Sequence, residues 1–190
     1  MAGCQRVILG ITGATGMLYV PALLQLLAVQ GVEVHGILSE SGRKVLRFEL
    51  GLEPDQLPQV GQWYAPDDFT APPASGSARY DAMVVLPCTM GSLAAIANGY
   101  CGNLLHRSAD VTLKERRPLI LAVRETPLNR THLKNMMAAH EAGAILCPPM
   151  PSFYTHPKNL DDIAVSFAVR ICDLLGIAVA SGHVKRWQGI

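Results

Sequence analysis

Charge is scarce in this chain. Only 16% of its 190 residues are Asp, Glu, Lys or Arg, against about 25% in an average domain. The formal net charge is +1, and no run of Lys or Arg occurs. The electrostatic footprint of a nucleic-acid binder is therefore missing. No stretch approaches the roughly 18–20 consecutive apolar residues of a membrane span. The five cysteines, Cys4, Cys88, Cys101, Cys147 and Cys172, are scattered and include no CxxC pair. They read as reduced thiols of a cytosolic protein and not as a disulfide framework. The six histidines show no metal-ligand spacing, and no Ser-His-Asp set can be picked out. No internal repeat is visible. The first residues, MAGCQR, lead straight into a strand, which argues against a signal peptide.

What is present is apolar material. Hydrophobic residues make up 49% of the chain, and the mean hydropathy is positive. That suffices for a large core in one domain over 1–190. So little surface charge also predicts that part of the outer surface is covered, as in a homo-oligomer.

Apolar β-rich runs at 6–11, 32–38, 80–86, 119–123 and 144–147 alternate with helical patterns at 16–30, 40–50, 90–98, 103–116, 127–142 and 160–175. Residues 176–190 read as a tail. Strands that are apolar throughout and separated by helices predict a parallel sheet covered on both faces. Five such strands give an α/β fold of three αβα layers, Rossmann-like or flavodoxin-like. Residues 51–79, with APPASGSA at 71–78, read as a Pro/Gly/Ser-rich connection. A connection this long is often functional. In such sheets ligands bind beyond the carboxyl ends of the strands.

Those strand ends carry polar and flexible residues. After the first strand comes GITGATG (10–16), which is not GxGxxG; a tight turn and an anion-binding loop both fit it. Ser39 suits a helix cap or a phosphate contact. After the third strand comes LPCTMGS, with Thr89 and Ser92 at another helix start. Cys88 there reads better as a buried inert thiol than as a nucleophile. The fourth strand ends on Arg124-Glu125, followed by Thr126-Pro127 as an N-cap and N1 pair. The charged pair reads either as an exposed ion pair of small energetic weight or as an anion-holding Arg beside a proton-handling Glu. On the last helix, Ile163, Phe167, Ile171 and Leu174 form an apolar stripe, and Arg170 falls on it. A buried Arg there would need an anionic partner, whereas an edge position would let it snorkel.

Taken together, GITGATG, APPASGS, LPCTMGSLAAIANG (86–99), NLLHRSADVTLKERRPL (103–119), RETPLNRTHLKNM (124–136), PSFYTHP (151–157) and DDIAVSFAVRICDLLGI (161–177) resemble the UbiX-type flavin prenyltransferases over nearly the whole chain. The resemblance implies a flavodoxin-type fold, a dodecamer built of trimers and transfer of a dimethylallyl unit to N5 and C6 of reduced FMN. The donor would be dimethylallyl phosphate or diphosphate, and the product would serve UbiD-type decarboxylases. Gly13, Ala14, Thr15, Ser39, Thr89, Met90, Gly91, Ser92 and Arg124 would contact FMN. Tyr154 and Arg170 would hold the donor phosphate, with Lys114 and Arg107 supplied by a neighbouring subunit. Glu125 would handle protons, and Glu49 would close the site. Arg, Lys and Tyr in these roles could stabilise the leaving phosphate without a metal.

Three positions depart from the family. GATG stands where GASG is usual, so Thr15 adds a methyl where the flavin N5 would sit. Phe69 stands where a Trp is common, a weaker cation–π face for an allyl cation. Asn129 replaces a usual Ser. Two other readings compete: an FMN-binding carrier or regulatory protein, and the sister FMN-dependent cysteine decarboxylases. The substrate motif of the latter, Pro-x-Met-Asn, is not matched by Asn135-Met136-Met137.

Overall fold

The computed structural model describes residues 4–179 together with 186, 187 and 189. Most of the tail expected after residue 179 lies outside the described residues. Six strands form one parallel sheet in the order β3-β2-β1-β4-β5-β6. β1 (Arg6–Ile11), β2 (Glu33–Leu38), β4 (Ala82–Cys88), β5 (Leu119–Val123) and β6 (Ile145–Leu146) correspond to the five expected strands.

β3 (Val60–Tyr64) is a correction. It lies inside the stretch read as a Pro/Gly/Ser connection. Its sequence, VGQWY, has no clear alternation, because an edge strand pairs on one side only and half its residues meet solvent. Trp63 anchors it: a Cβ added to Gly36 on β2 would come within 2.4 Å of the indole, so the ring lies flat against bare backbone. With β3 included the strand order is that of the dinucleotide-binding Rossmann sheet; without it the remaining five follow the flavodoxin order.

Alternation along the strands sorts the core into two halves. Val7, Leu9 and Ile11 of β1, with Val84 and Leu86 of β4, face α1 (Tyr19–Val29), α2 (Glu40–Leu50) and α6 (Leu160–Leu174). Ile8, Met83, Val85 and Leu121 face α3 (Met90–Ala97), α4 (Leu104–Lys114) and α5 (Arg130–Glu141). Both faces of the central strands are buried, as the unbroken apolar runs require.

Two helix starts differ from expectation. Gly16 has φ +108°, a conformation glycine enters without strain, so it stays in the loop and α1 begins at Tyr19. α5 begins at Arg130, not Pro127. Asn129 is its cap: Oδ1 accepts from His132 N–H at 2.8 Å. Thr126 and Pro127 therefore lie outside the helix and are not its N-cap and N1. Asn129, the family departure, does the capping work a Ser would do.

Candidate active site

The carboxyl ends of β2, β1, β4 and β5 are stitched side by side. Ser39 N–H donates to Ile11 O at 3.0 Å, Thr12 N–H to Pro87 O at 3.2 Å, and Arg124 N–H to Cys88 O at 3.0 Å. The Thr12 side chain, which is 2% exposed, donates to Pro87 O and accepts from Thr89 N–H, each at 2.8 Å. Gly13 lies so close to α2 that a Cβ would meet Ser41 Cβ at 2.4 Å; only glycine fits between them. Gly13, Ala14, Thr15, Ser39, Thr89, Met90, Gly91, Ser92, Arg124 and Glu125 thus share one edge of the sheet. Thr12, which joins them, escaped the sequence reading. A β-branched hydroxyl directly after an apolar strand was the available signal.

Each tip residue has a defined state. Ser39 caps α2, accepting from Gly42 N–H at 3.0 Å, and Thr89 caps α3, accepting from Ser92 N–H at 3.2 Å. Arg124 and Glu125 are exposed. Among the described residues they form no ion pair with each other, so the surface-pair reading does not hold. Glu125 Oε1 instead accepts from Thr126 N–H at 3.0 Å. Glu49, near the end of α2, reaches back to the first loop. It accepts from Met17 N–H at 2.8 Å and from Gly16 N–H at 3.0 Å. Cys88 is fully buried, and burial pushes its thiol up to about 12; it is an inert core residue.

The edge can hold an anionic flavin nucleotide. Among the described residues, the N–H groups of Gly13, Thr15, Met90 and Gly91 have no protein acceptor. Gly91 is exposed, and a Cβ there would meet nothing nearer than Thr89 Oγ1 at 4.0 Å. Helix-start donors and the guanidinium of Arg124 suit phosphate and the polar edge of a flavin ring. The anion seat at the α1 entrance is filled by Glu49, which leaves Ser39, the α3 start and Arg124 as the open polar positions on this edge. No cluster of three metal-ligating side chains exists among the described residues.

The remaining predicted residues share no hydrogen bond with the strand tips among the described residues. Phe69, 47% exposed, sits on the connection after β3. Arg107 on α4 is engaged by Asp110 at 2.7 Å and by Ala74 O at 3.2 Å. The Pro/Ser loop is thereby strapped to α4. Lys114 closes α4, shortly before β5 begins, and pairs with Glu115; it is at the opposite edge of the sheet from the strand tips. Tyr154 and Arg170 do come together. They line one cavity of about 440 Å³ with Ser152, Asp173, Arg186 and Trp187. Arg170 is exposed there, so its position on the stripe is at the edge and not in the core. The buried residues of α6 are Ala164, Phe167, Ala168, Val169, Ile171 and Cys172. None of the strand-tip residues lines this cavity.

Comparison with known proteins agrees with this geometry. Residues 1–148 match the Flavoprotein family model. A flavin prenyltransferase UbiX from Methanocaldococcus jannaschii is 45% identical over 185 residues, covering 96% of this chain and 98% of the relative. The crystal structure of AnUbiX (PadA1) in complex with FMN and dimethylallyl pyrophosphate superposes with a TM-score of 0.93 at 37% identity, covering 98% of both chains. A dodecameric FMN-dependent UbiX-like decarboxylase from Escherichia coli O157:H7 superposes with a TM-score of 0.92 at 40% identity, covering 97% of this chain and all of that one. With a stitched strand edge suited to a flavin nucleotide, a separate cavity holding Tyr154 and Arg170, and likeness along the full length, the chain belongs to the flavoprotein family, in its UbiX-type flavin prenyltransferase branch.

Proposed function

We propose that this protein joins a dimethylallyl group, from dimethylallyl phosphate or diphosphate, to reduced FMN. The observation that carries the reading is the sheet edge itself. Among the described residues, N–H donors without a protein acceptor lie there beside an exposed Arg124 and Glu125 that form no ion pair. When bound, reduced FMN supplies the N5 and C6 positions that receive the prenyl unit.

The protein's own residues do the rest. Gly13, Ala14, Thr15, Ser39, Met90, Gly91 and Arg124 bind and orient the flavin, with Thr89 and Ser92 fixing the α3 start beneath it. Arg170 and Tyr154 bind the donor phosphate and stabilise the charge that collects on its oxygens as the allylic carbon–oxygen bond breaks. Glu125 moves a proton through its carboxylate oxygens next to that phosphate. Glu49 holds the first loop in place, and Phe69 offers an aromatic face to the allylic carbon. Lys114, at the end of α4, and Arg107, held by Asp110 and Ala74 O, serve the site of a neighbouring subunit. A homo-oligomer supplies that boundary; the E. coli relative is a dodecamer. The chain acts as one FMN-binding domain in the cytoplasm, and the product passes to a UbiD-type decarboxylase.

The direct test is anaerobic incubation with reduced FMN and each donor, followed by mass spectrometry of the released flavin. A mass increase of one five-carbon prenyl unit is expected. Bound flavin of unchanged mass with both donors would sink the proposal.

A further inference from the structure

The Pro/Ser loop lies along α4 and is tied to it by charged side chains. Arg107 Nε donates to Ala74 O at 3.2 Å, and Arg117 donates to Gly76 O at 2.8 Å. Glu115 lies flat on the bare backbone of Gly76: a Cβ added there would come within 2.6 Å of the carboxylate carbon. One oxygen of Glu115 accepts from the Lys114 ammonium. The other is 3.9 Å from the Arg117 guanidinium.

This carboxylate is in an unfavourable place on its own helix. Glu115 is the C-cap of α4, where the helix dipole disfavours negative charge. The hydrogen bond and charge of Lys114, and then the charge of Arg117, nevertheless hold its carboxyl below the ordinary range. An exposed Lys–Glu pair is usually mobile and of little weight. Here the acidic partner is confined, with Gly76 beneath it and Arg117 beside it. The flexible four-carbon stem of Lys114 is thereby tethered to a fixed point. Arg107 and Lys114 are seven residues apart, two turns along one face of α4. One loop therefore holds both cations, Arg107 through Ala74 O and Lys114 through Glu115. We infer that Glu115, seated on Gly76, is a positioning residue that fixes the Lys114 ammonium for binding an anion. That the anion is the donor phosphate of a neighbouring subunit's site rests on the proposed prenyl transfer; the positioning does not.

The sign of the effect separates positioning from simple neutralisation. If Glu115 only cancelled the charge of Lys114, its loss would tighten anion binding. If it positions Lys114, its loss weakens binding. The full-length protein, loaded with FMN, is titrated with orthophosphate as wild type, Glu115→Gln and Gly76→Ala. Glu115→Gln removes the charge. Gly76→Ala keeps the charge and puts a methyl where the carboxylate rests; Gly76 does not adopt a positive φ, so its backbone accepts alanine. Both variants should weaken orthophosphate by roughly two- to tenfold, the cost of ordering one long side chain on binding, with the dissociation constant of FMN unchanged. In prenyl transfer the KM of the donor should rise by the same factor, with the KM of reduced FMN unchanged. In a Lys114→Met background neither substitution should have a further effect. Tighter orthophosphate binding in Glu115→Gln, unchanged binding in both variants, equal weakening of orthophosphate and FMN, or an effect that persists in Lys114→Met overturns the inference. If orthophosphate binding shifts as expected while wild type transfers no prenyl group from either donor, the positioning of Lys114 stands and the prenyl-transfer reading fails.

Discussion

The hydroxyl of Thr12 bonds the tip of β1 to the tip of β4, accepting from Thr89 N–H and donating to Pro87 O at 2.8 Å each. It is the side-chain link between the first loop and the start of α3, the two segments proposed to hold the flavin. Thr12→Val keeps the shape and removes both bonds. A buried N–H left without a partner costs about 1–3 kcal/mol. Denaturant unfolding should show that loss, and flavin titration should show weaker FMN binding, because the Thr89 backbone is no longer held. Unchanged values for both would make Thr12 merely space-filling.

Glu49 should behave differently. Its carboxylate is half-exposed and binds two N–H groups of the first loop, so its charge assists those bonds. Glu49→Gln keeps the acceptor and loses the charge. Stability should fall by about 1 kcal/mol or less, with most of the difference vanishing at high salt. Prenyl transfer should fall much more, since the loop it fixes carries Thr15. Equal activity in the variant would remove Glu49 from the site.

The parts of this fold that were legible in sequence are those governed by local pattern. Apolar runs gave β1, β2, β4, β5 and β6, and Ser39 and Thr89 marked the starts of α2 and α3. β3 was hidden because Trp63 finds its partner in Gly36, a contact between strands that neither segment announces alone. The start of α5 was misplaced because Thr126-Pro127 carries the usual composition of a cap, while Asn129, three residues on, carries the actual hydrogen bond. Arg170 could be assigned to a stripe of α6 but not to a depth, buried or at the edge. Periodicity tells which residues share a stripe and not where the neighbouring helix stops covering it. The pairing of Asp173 with Arg186 joins residues thirteen apart, and no spacing encodes that.

Arg124 separates binding from folding. Its guanidinium has no ion-pair partner among the described residues, so Arg124→Gln should leave the unfolding free energy within about 0.5 kcal/mol of wild type. A lost charge-assisted contact to phosphate is worth about 1.5–3 kcal/mol, so the dissociation constant for FMN should rise by roughly ten- to a hundredfold. Riboflavin, which has no phosphate, should bind wild type and variant alike. Equal weakening toward both flavins would point to a contact with the ring instead.

His106 predicts how stability responds to acid. It sits in the first turn of α4, half-buried, and its Nδ1 is buried with no hydrogen-bond partner. Burial lowers its pKa below the ordinary 6.5. The folded chain therefore resists a proton that the unfolded chain accepts. Below pH 6.5 the unfolded state binds more protons, so stability rises with pH and is lost as pH falls through this window. His106→Phe keeps an aromatic ring beside Tyr100, whose centre is 6.5 Å from the imidazole. It removes both the titration and the orphaned nitrogen. Unfolding free energy measured from about pH 5 to 7 should slope less steeply in the variant, by less than the roughly 1.4 kcal/mol per pH unit that one full proton would give. Above the window the variant should be at least as stable as wild type, since no unpaired polar atom remains to be buried. Identical slopes would mean that the acid sensitivity arises elsewhere.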